Sequence, residues 1–366
     1  MALLGGYAFF ASREGPNRRS RFATIFFSGY LLYWFIEKYD IFRNIDRWLP
    51  AMRSASVQLM GGGSAIPIFG VSFIGVSFIG VSYIGFKLIH FFVDYRAGEI
   101  THVEPIEVLN WLLFFPSITA GPMQRFQDWQ AQRRDPRLTL EDVSEGIRRL
   151  VIGMVLKFVL ADSIFGLTIA NMGPEALHDA SPIRLAFAAV CYSFYLYWDF
   201  SGYSHMAIGL GRFFGIRLPE NFNWPFISRN LAEFWQRWHI TLSHMLRDYI
   251  FYPLSLRVKR MPRLRRHANL AAAIPPLTTF LIAGLWHGAV FGYIVFGAMH
   301  GLGLAFLAVS GRRRSQSAFS QWWAKSLFAR LFATTFTFTY VTVSLLFFCL
   351  STDQLAVIGN RLVSIF

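Results

Sequence analysis

The sequence predicts an all-α integral membrane protein with many crossings, on three observations: an excess of apolar residues, their grouping in long blocks, and basic residues that bracket those blocks. Of 366 residues, 54% are apolar and only 15% charged, with a mean hydropathy of +0.39. Soluble domains carry roughly 45 to 50% apolar and about 25% charged residues, and a soluble chain of this length could not hide so much apolar surface. Crossing a hydrocarbon core of about 30 Å takes about 20 apolar residues per helix, and several blocks reach that length. The net charge of +14 and pI near 10.1 would point to nucleic acid in a soluble protein. Here the basic residues flank apolar blocks, as those of cytoplasmic loops do, and form no basic face with stacking aromatics, so the partner they imply is the lipid bilayer and not nucleic acid.

Taken in order, the N-terminal run MALLGGYAFFASREGPNRRSR has no charged region before its apolar part and no small-residue cleavage site, so it is read as retained chain. Candidate spans run from Phe22 to Ile36, Ala65 to Phe92, Val108 to Ala120, Leu150 to Met172, Ile183 to Leu210, Ala268 to Trp286, Ala289 to Val309 and Leu327 to Leu350. The short block from Val108 to Ala120 suits a tilted segment in a thinned bilayer or a re-entrant one. No segment reads as a separate soluble domain, which leaves a single membrane domain over 1–366. A five-residue repeat, Gly70-Val-Ser-Phe-Ile, Gly75-Val-Ser-Phe-Ile, Gly80-Val-Ser-Tyr-Ile, turns a helix by about 500° per unit, so its glycines step by about 140° and build no single small-residue face. It reads as a tolerated tandem duplication, with a close-packed helix lining a cavity as the alternative.

Loop charge orients the later part of the chain. Arg125, Arg133, Arg134, Arg137, Arg148 and Arg149 fill one connection, while 173–182 holds no Lys or Arg, so the first faces the cytoplasm and the second the outside. The connection from Arg212 to His267 ends in Arg257, Lys259, Arg260, Arg263, Arg265 and Arg266, and Arg312, Arg313 and Arg314 follow the next two spans. Both basic groups then face the cytoplasm, and the spans between them form a hairpin with His287 and Gly288 at its turn. Within the first of these connections, Asn230 with Glu233 three residues on reads as a helix start. Leu231, Phe234, Trp235, Trp238, Leu242, Met245 and Tyr249 fall on one stripe, with Glu233 and Arg237 nearer the other face. Such a helix should lie along the membrane interface. Cys191 and Cys349 both sit in apolar blocks, so no disulfide is expected.

Ionisable groups inside apolar spans are costly and are functional candidates by default. These are Lys157 with Asp162, five apart and read as a structural pair; Asp199, which could equally bond a neighbouring helix; His205; His287; and His300. No metal site is expected, since His239 and His244 are five apart and share no helix face. The glycines at 61–63 and at Gly301 and Gly303 lack the context of a phosphate loop. His287, in Gly284-Leu-Trp-His-Gly288 between two apolar runs, stands out: desolvation keeps such an imidazole neutral, the form a general base needs.

Several separated stretches together resemble the membrane-bound O-acyltransferase family, in its bacterial alginate-acetylase and D-alanyl-transfer branch. They are Phe114-Phe-Pro-Ser-Ile-Thr-Ala-Gly-Pro-Met-Gln-Arg125, Lys157-Phe-Val-Leu-Ala-Asp162, Asp199-Phe-Ser-Gly-Tyr-Ser-His-Met-Ala-Ile-Gly-Leu-Gly211, and Pro219-Glu-Asn-Phe222. Glu233-Phe-Trp-Gln-Arg-Trp-His-Ile-Thr-Leu-Ser243, Arg247-Asp-Tyr-Ile-Phe-Tyr-Pro253 and Gly284-Leu-Trp-His-Gly288 complete the set. The resemblance covers an MBOAT-like core at 65–301, between a divergent part at 1–64 and C-terminal helices at 302–366. It departs from the pattern at the shorter N-terminus, the repeat, His205 where relatives often carry Asp, and Cys349 where an Arg is common.

The resemblance implies a ring of tilted helices around a central tunnel, with interfacial and re-entrant helices, multi-pass in the inner (cytoplasmic) membrane. It implies His287 as the catalytic histidine and His239 as a second one near the cytoplasmic end of the tunnel. Asp199, Tyr203, Arg237, Trp238, Ser243 and Trp286 become candidates for lining the tunnel or positioning substrate. No cofactor is bound; the co-substrate is an acyl thioester, acetyl-CoA or acyl-carrier protein, arriving from the cytoplasm. The acceptor is a hydroxyl of an extracytoplasmic polysaccharide, reached directly or through a relay acyltransferase partner, and the Arg-rich composition favours acetylation. D-alanyl transfer to teichoic acid or another carrier-linked acceptor is the alternative, and an ion- or proton-coupled transporter using His287, Asp199 and Lys157 is the rival of another class.

Overall fold

The computed structural model describes residues 73–134, 138–288, 290–311 and 326–365, and the regular elements among them are helices. The block from Phe22 to Ile36, the glycines at 61–63, the first glycine of the repeat, Arg137 and the Arg312 to Arg314 cluster lie outside these residues. The chain divides into two compact units, one taking in 1–146 with 207–219, the other 147–206 with 220–366.

In the first unit, α1 (Phe73–Ala97) carries the second and third units of the repeat, and α2 (Pro105–Leu112), a 3-10 turn (Phe115–Ser117) and α3 (Phe126–Arg134) follow. The expected span from Val108 to Ala120 is therefore not one helix: α2 has eight residues, about 12 Å of rise, and Pro116 cannot donate to a continuing ladder. α1 buries polar groups that the sequence reading passed over. Lys87 donates to the carbonyl of Trp111 at 3.0 Å and to Ser117 Oγ at 3.1 Å, and the Phe126 N–H donates to His90 Nε2 at 2.9 Å. That bond leaves the His90 proton on Nδ1, which faces Asp94 at 3.2 Å.

In the second unit, α4 (Leu140–Met154, of which 147 onward belongs here) runs on through a π-helical stretch, Val155–Ala161. α5 (Pro174–Asp179) is short, and α6 spans Pro182–Phe213, up to Met206 within this unit. α4 and α6 touch backbone to backbone: a β-carbon on Gly153 would stand 2.6 Å from the Gly202 carbonyl oxygen, and one on Gly202 2.8 Å from that of Gly153. This approach corrects the expected pairing of Lys157 with Asp162. Lys157 instead forms an ion pair across the helices with Asp199.

α7 (Leu231–Arg237), α8 (Ile240–Leu246) and α9 (Tyr252–Arg260) lead to α10 (Ala268–His287), α11 (Phe291–Ser310) and α12 (Leu327–Cys349). These last three are, among the described residues, the helices long and apolar enough to cross a membrane, and their bounds lie within two residues of the expected blocks. α10 and α11 form the expected hairpin, with His287 ending its first arm. α13 (Thr352–Ile365) was not expected from the apolar pattern. Its start is a capping box, in which the Ser351 N–H donates to Gln354 Oε1 at 3.0 Å and the Gln354 N–H to Ser351 Oγ at 3.3 Å. Cys191 and Cys349 are both free.

Candidate active site

His287 closes α10 and is half-buried in an aromatic box. Its ring centroid lies 4.6 Å from Trp286, 4.8 Å from Phe348, 5.8 Å from Tyr293 and 6.4 Å from Phe296. Three elements supply the walls: Trp286 belongs to α10, Tyr293 and Phe296 to α11, and Phe348 to α12.

His239 sits in a different local setting. The apolar stripe from Leu231 to Tyr249 predicts one interfacial helix, and its start is as expected, because Asn230 Oδ1 accepts the Glu233 N–H at 2.9 Å. The helix then breaks. The Asn223 N–H takes the Arg237 carbonyl and the Ile240 N–H takes the Asn221 carbonyl, both at 2.9 Å, so a loop segment replaces the helical ladder over this turn. His239 sits at the break with φ +43° in the left-handed region, an unfavourable conformation for a residue with a β-carbon. Most of the stripe is core packing: Leu231, Phe234, Trp238, Leu242 and Met245 are buried.

Asn221 holds the break together. Its Oδ1 accepts the Thr241 N–H at 3.3 Å and the Thr241 hydroxyl at 2.9 Å, and faces His239 Nδ1 at 3.1 Å. An amide oxygen only accepts, so His239 carries its proton on Nδ1 and presents a lone pair on Nε2. The ring is 5% exposed and stands edge-on to Phe200 at 4.8 Å. Burial, and after it the charge of His287, push the His239 pKa down to about 3.

The other candidates divide. Trp238 is buried against Phe222 at 5.1 Å and Phe234 at 5.6 Å, beside His239. Trp286 touches His287. Ser243 donates to the Trp238 carbonyl at 3.3 Å, and Arg237 is tied to Glu233 at 3.0 Å and to the Asn223 carbonyl at 3.2 Å, so both brace the break. Burial would raise the Glu233 pKa, but hydrogen bonds from the Arg229 N–H and the Arg237 side chain hold it below its usual value. Asp199 spends its carboxylate on Lys157. Tyr203, half-buried on α6, lies one turn beyond Asp199. His205 accepts at Nδ1 from Arg149 at 3.1 Å, and the same arginine donates to Glu220 at 3.0 Å.

Sequence reasoning assigned no role to Asn221 or Phe200, although both lie in quoted motifs; an Asn followed by Phe in Pro219-Glu-Asn-Phe222 was the available signal. Among the described residues no three His, Cys, Asp or Glu side chains gather as ligands of a metal ion would. What the arrangement offers chemically is an imidazole at a hairpin turn, walled by aromatic rings, of the kind that can take a proton from an attacking group.

The profile of the membrane-bound O-acyltransferase family matches residues 23–350. A probable alginate O-acetylase of Pseudomonas fluorescens is 38% identical over 233 residues, 63% of this chain and 45% of that protein. A peptidoglycan O-acetyltransferase of Helicobacter pylori is 38% identical over 195 residues, 52% and 35% of the two chains. A teichoic acid D-alanyltransferase of Bacillus subtilis is 32% identical over 217 residues, 58% and 54%. The matched stretch thus spans between about a third and about half of each relative's length.

Proposed function

The chain belongs to the membrane-bound O-acyltransferase family, and from that premise we propose that it moves an acyl group from a thioester, acetyl-CoA or an acyl-carrier protein, to a hydroxyl of an extracytoplasmic polysaccharide. The observation that supports this reading is the place of His287, at the end of the first arm of the α10–α11 hairpin in a box of aromatic rings from three helices. His287 takes the proton of the attacking hydroxyl as its oxygen adds to the thioester carbonyl. The C–S bond then breaks, and the leaving sulfur recovers that proton as the thiol, so the products are an ester and a free thiol. His239 orients the donor. The same step serves direct transfer and a relay through the hydroxyl of a partner acyltransferase.

The proposal extends to the setting. The basic residues Arg257, Lys259, Arg260, Arg263 and Arg266 face the cytoplasm, the chain acts as one domain in the inner membrane, and its tilted helices ring a tunnel that both substrates enter. Relatives named for alginate and peptidoglycan O-acetylation support an acetyl group and a glycan acceptor. The likeness to teichoic acid D-alanyltransferases supports the second reading, D-alanyl transfer.

The test is incubation of the purified chain, in liposomes, with labelled acetyl-CoA or acyl-carrier thioester and a polysaccharide acceptor. Labelled ester and free thiol are expected. Labelled D-alanyl ester without acetyl ester would move the assignment to the second reading, and solute flux without thioester cleavage would replace the enzyme by a transporter.

A further inference from the structure

His300 is wholly buried on α11, and its hydrogen bonds leave it one tautomer. The Trp235 indole N–H, a donor with no acceptor capacity, points at His300 Nδ1 at 3.2 Å. Nδ1 must therefore offer its lone pair, and the ring proton lies on Nε2. Nε2 stands 2.9 Å from Ser344 Oγ, and the Ser344 hydroxyl donates onward to the Val341 carbonyl at 2.7 Å. Indole, imidazole, hydroxyl and carbonyl make a directed chain in which each proton has one place. A ring with its lone pair taken and its proton given cannot serve as a base, so the first reading of His300 as an intramembrane ionisable candidate gives way to another.

This chain of bonds fastens the elements that carry the two candidate histidines. Trp235 belongs to α7, which ends two residues before His239. Ser344 lies one helical turn from Phe348 on α12, and Phe348 is the ring 4.8 Å from His287. Phe296, one turn before His300 on α11, stands 4.5 Å from the His300 ring and 6.4 Å from that of His287. Two walls of the His287 box are thus set one turn away from the His300 tie, and so is the segment leading to His239.

We propose that His300 is the positioning residue of this site: a tautomer-locked tie between α7, α11 and α12 that holds His239 and His287 at their working separation. The proposal rests on the acyl-transfer reading for its kinetic consequence, while its geometric consequence stands without it. α11 and α12 keep a second bond, from the Tyr340 hydroxyl to the Met299 carbonyl at 2.7 Å, so removing the His300 bonds should leave the helices joined and the site loosened. Misplacement by about 1 Å costs on the order of 10²-fold in rate.

The experiment compares wild type, His300→Phe, His300→Gln, Ser344→Ala and His287→Ala, purified as the full chain. His300→Phe should lower kcat by about 10- to 100-fold with little change in donor KM, and His300→Gln, which can accept from Trp235 and donate to Ser344, should recover part of it. A role confined to folding would lower yield or melting temperature and leave kcat per folded molecule at the wild-type value, which would overturn the proposal. Histidine ¹⁵N spectra give the readout that needs no activity. His300 should hold the Nε2–H form from pH 5 to pH 8, and the His287 signals, identified by their loss in His287→Ala, should move in His300→Phe. A titrating His300, or His287 signals unmoved by that substitution, would overturn it. If His300→Phe fails to fold, Ser344→Ala decides by the same two measurements, a smaller kcat loss and a moved His287 signal being expected. Absence of ester formation by wild type would defeat the acyl-transfer reading alone, since the spectra still decide the tie.

Discussion

A β-carbon placed on Gly284 would stand 2.3 Å from the carbonyl oxygen of Tyr293, so the two arms of the His287 hairpin meet backbone to backbone just before the histidine. Gly297 repeats the approach one turn away, 2.4 Å from the Phe280 carbonyl oxygen. Small residues allow this contact between membrane helices, where packing and not the hydrophobic effect drives association. Gly284→Ala must push the arms apart, and we expect a stability loss of about 1–3 kcal/mol together with lost activity, because Tyr293 is a wall of the His287 box. Gly311→Ala, where nothing lies within 4 Å, is the control and should change neither melting temperature nor specific activity.

His287→Ala should abolish transfer while leaving insertion and folding intact. The ring is half-buried and packed by Trp286 and Phe348, so the substitution removes aromatic contact as well as the base. Loss of a general base costs about 10²- to 10⁴-fold, measured as labelled ester formed per folded molecule. Activity within a factor of two of wild type would remove His287 from the mechanism.

The Lys157 and Asp199 side chains are about 30% exposed, yet they stand between closely packed helices. Removing one partner leaves a poorly solvated charge, whereas replacing both by apolar residues removes the problem along with the bond. Lys157→Met and Asp199→Leu should each lower the melting temperature, and the double variant should recover much of that loss. If Asp199 also contacts substrate, the double variant will be stable and inactive; a stable, active one would make the pair purely structural.

What could be read in the sequence follows from what periodicity encodes. The blocks that became α10, α11 and α12 were legible because a crossing helix is apolar all round over a set length, and the hairpin followed from basic residues on either side. Lys87 and His90 were missed because they sit inside an apolar run and declare themselves only through tertiary partners, the Trp111 carbonyl and the Phe126 N–H. The ion pair was assigned by nearness in sequence to Asp162, when the contact of Gly153 with Gly202 decides it for Asp199. The break at His239 was invisible for a related reason. Residues Leu231 to Tyr249 keep helical spacing throughout, and the interruption comes from Asn221, which lies before the helix and competes for its backbone.

That break separates strain from chemistry at His239. Its φ of +43° costs a residue with a β-carbon about 1–2 kcal/mol, and such strain is retained at functional sites only when the surroundings enforce it. Glycine has no such cost, so His239→Gly should be more stable than His239→Ala, while both lose donor handling alike in donor saturation kinetics. Equal stability of the two would mean that the turn has relaxed and the strain argument is void. The acid side gives an independent check. Burial, then the His287 charge, lower the folded pKa from 6.5 to about 3, so between those values the unfolded chain binds a proton that the folded one refuses. Stability is therefore complete above about pH 6.5 and falls as the pH drops toward 3. His239→Gly removes this contribution, and its melting temperature should fall less than that of wild type between pH 7.5 and pH 4.5. Parallel falls would show that His239 takes up a proton in the folded state, and would leave His287 as the histidine on which the proposed chemistry depends.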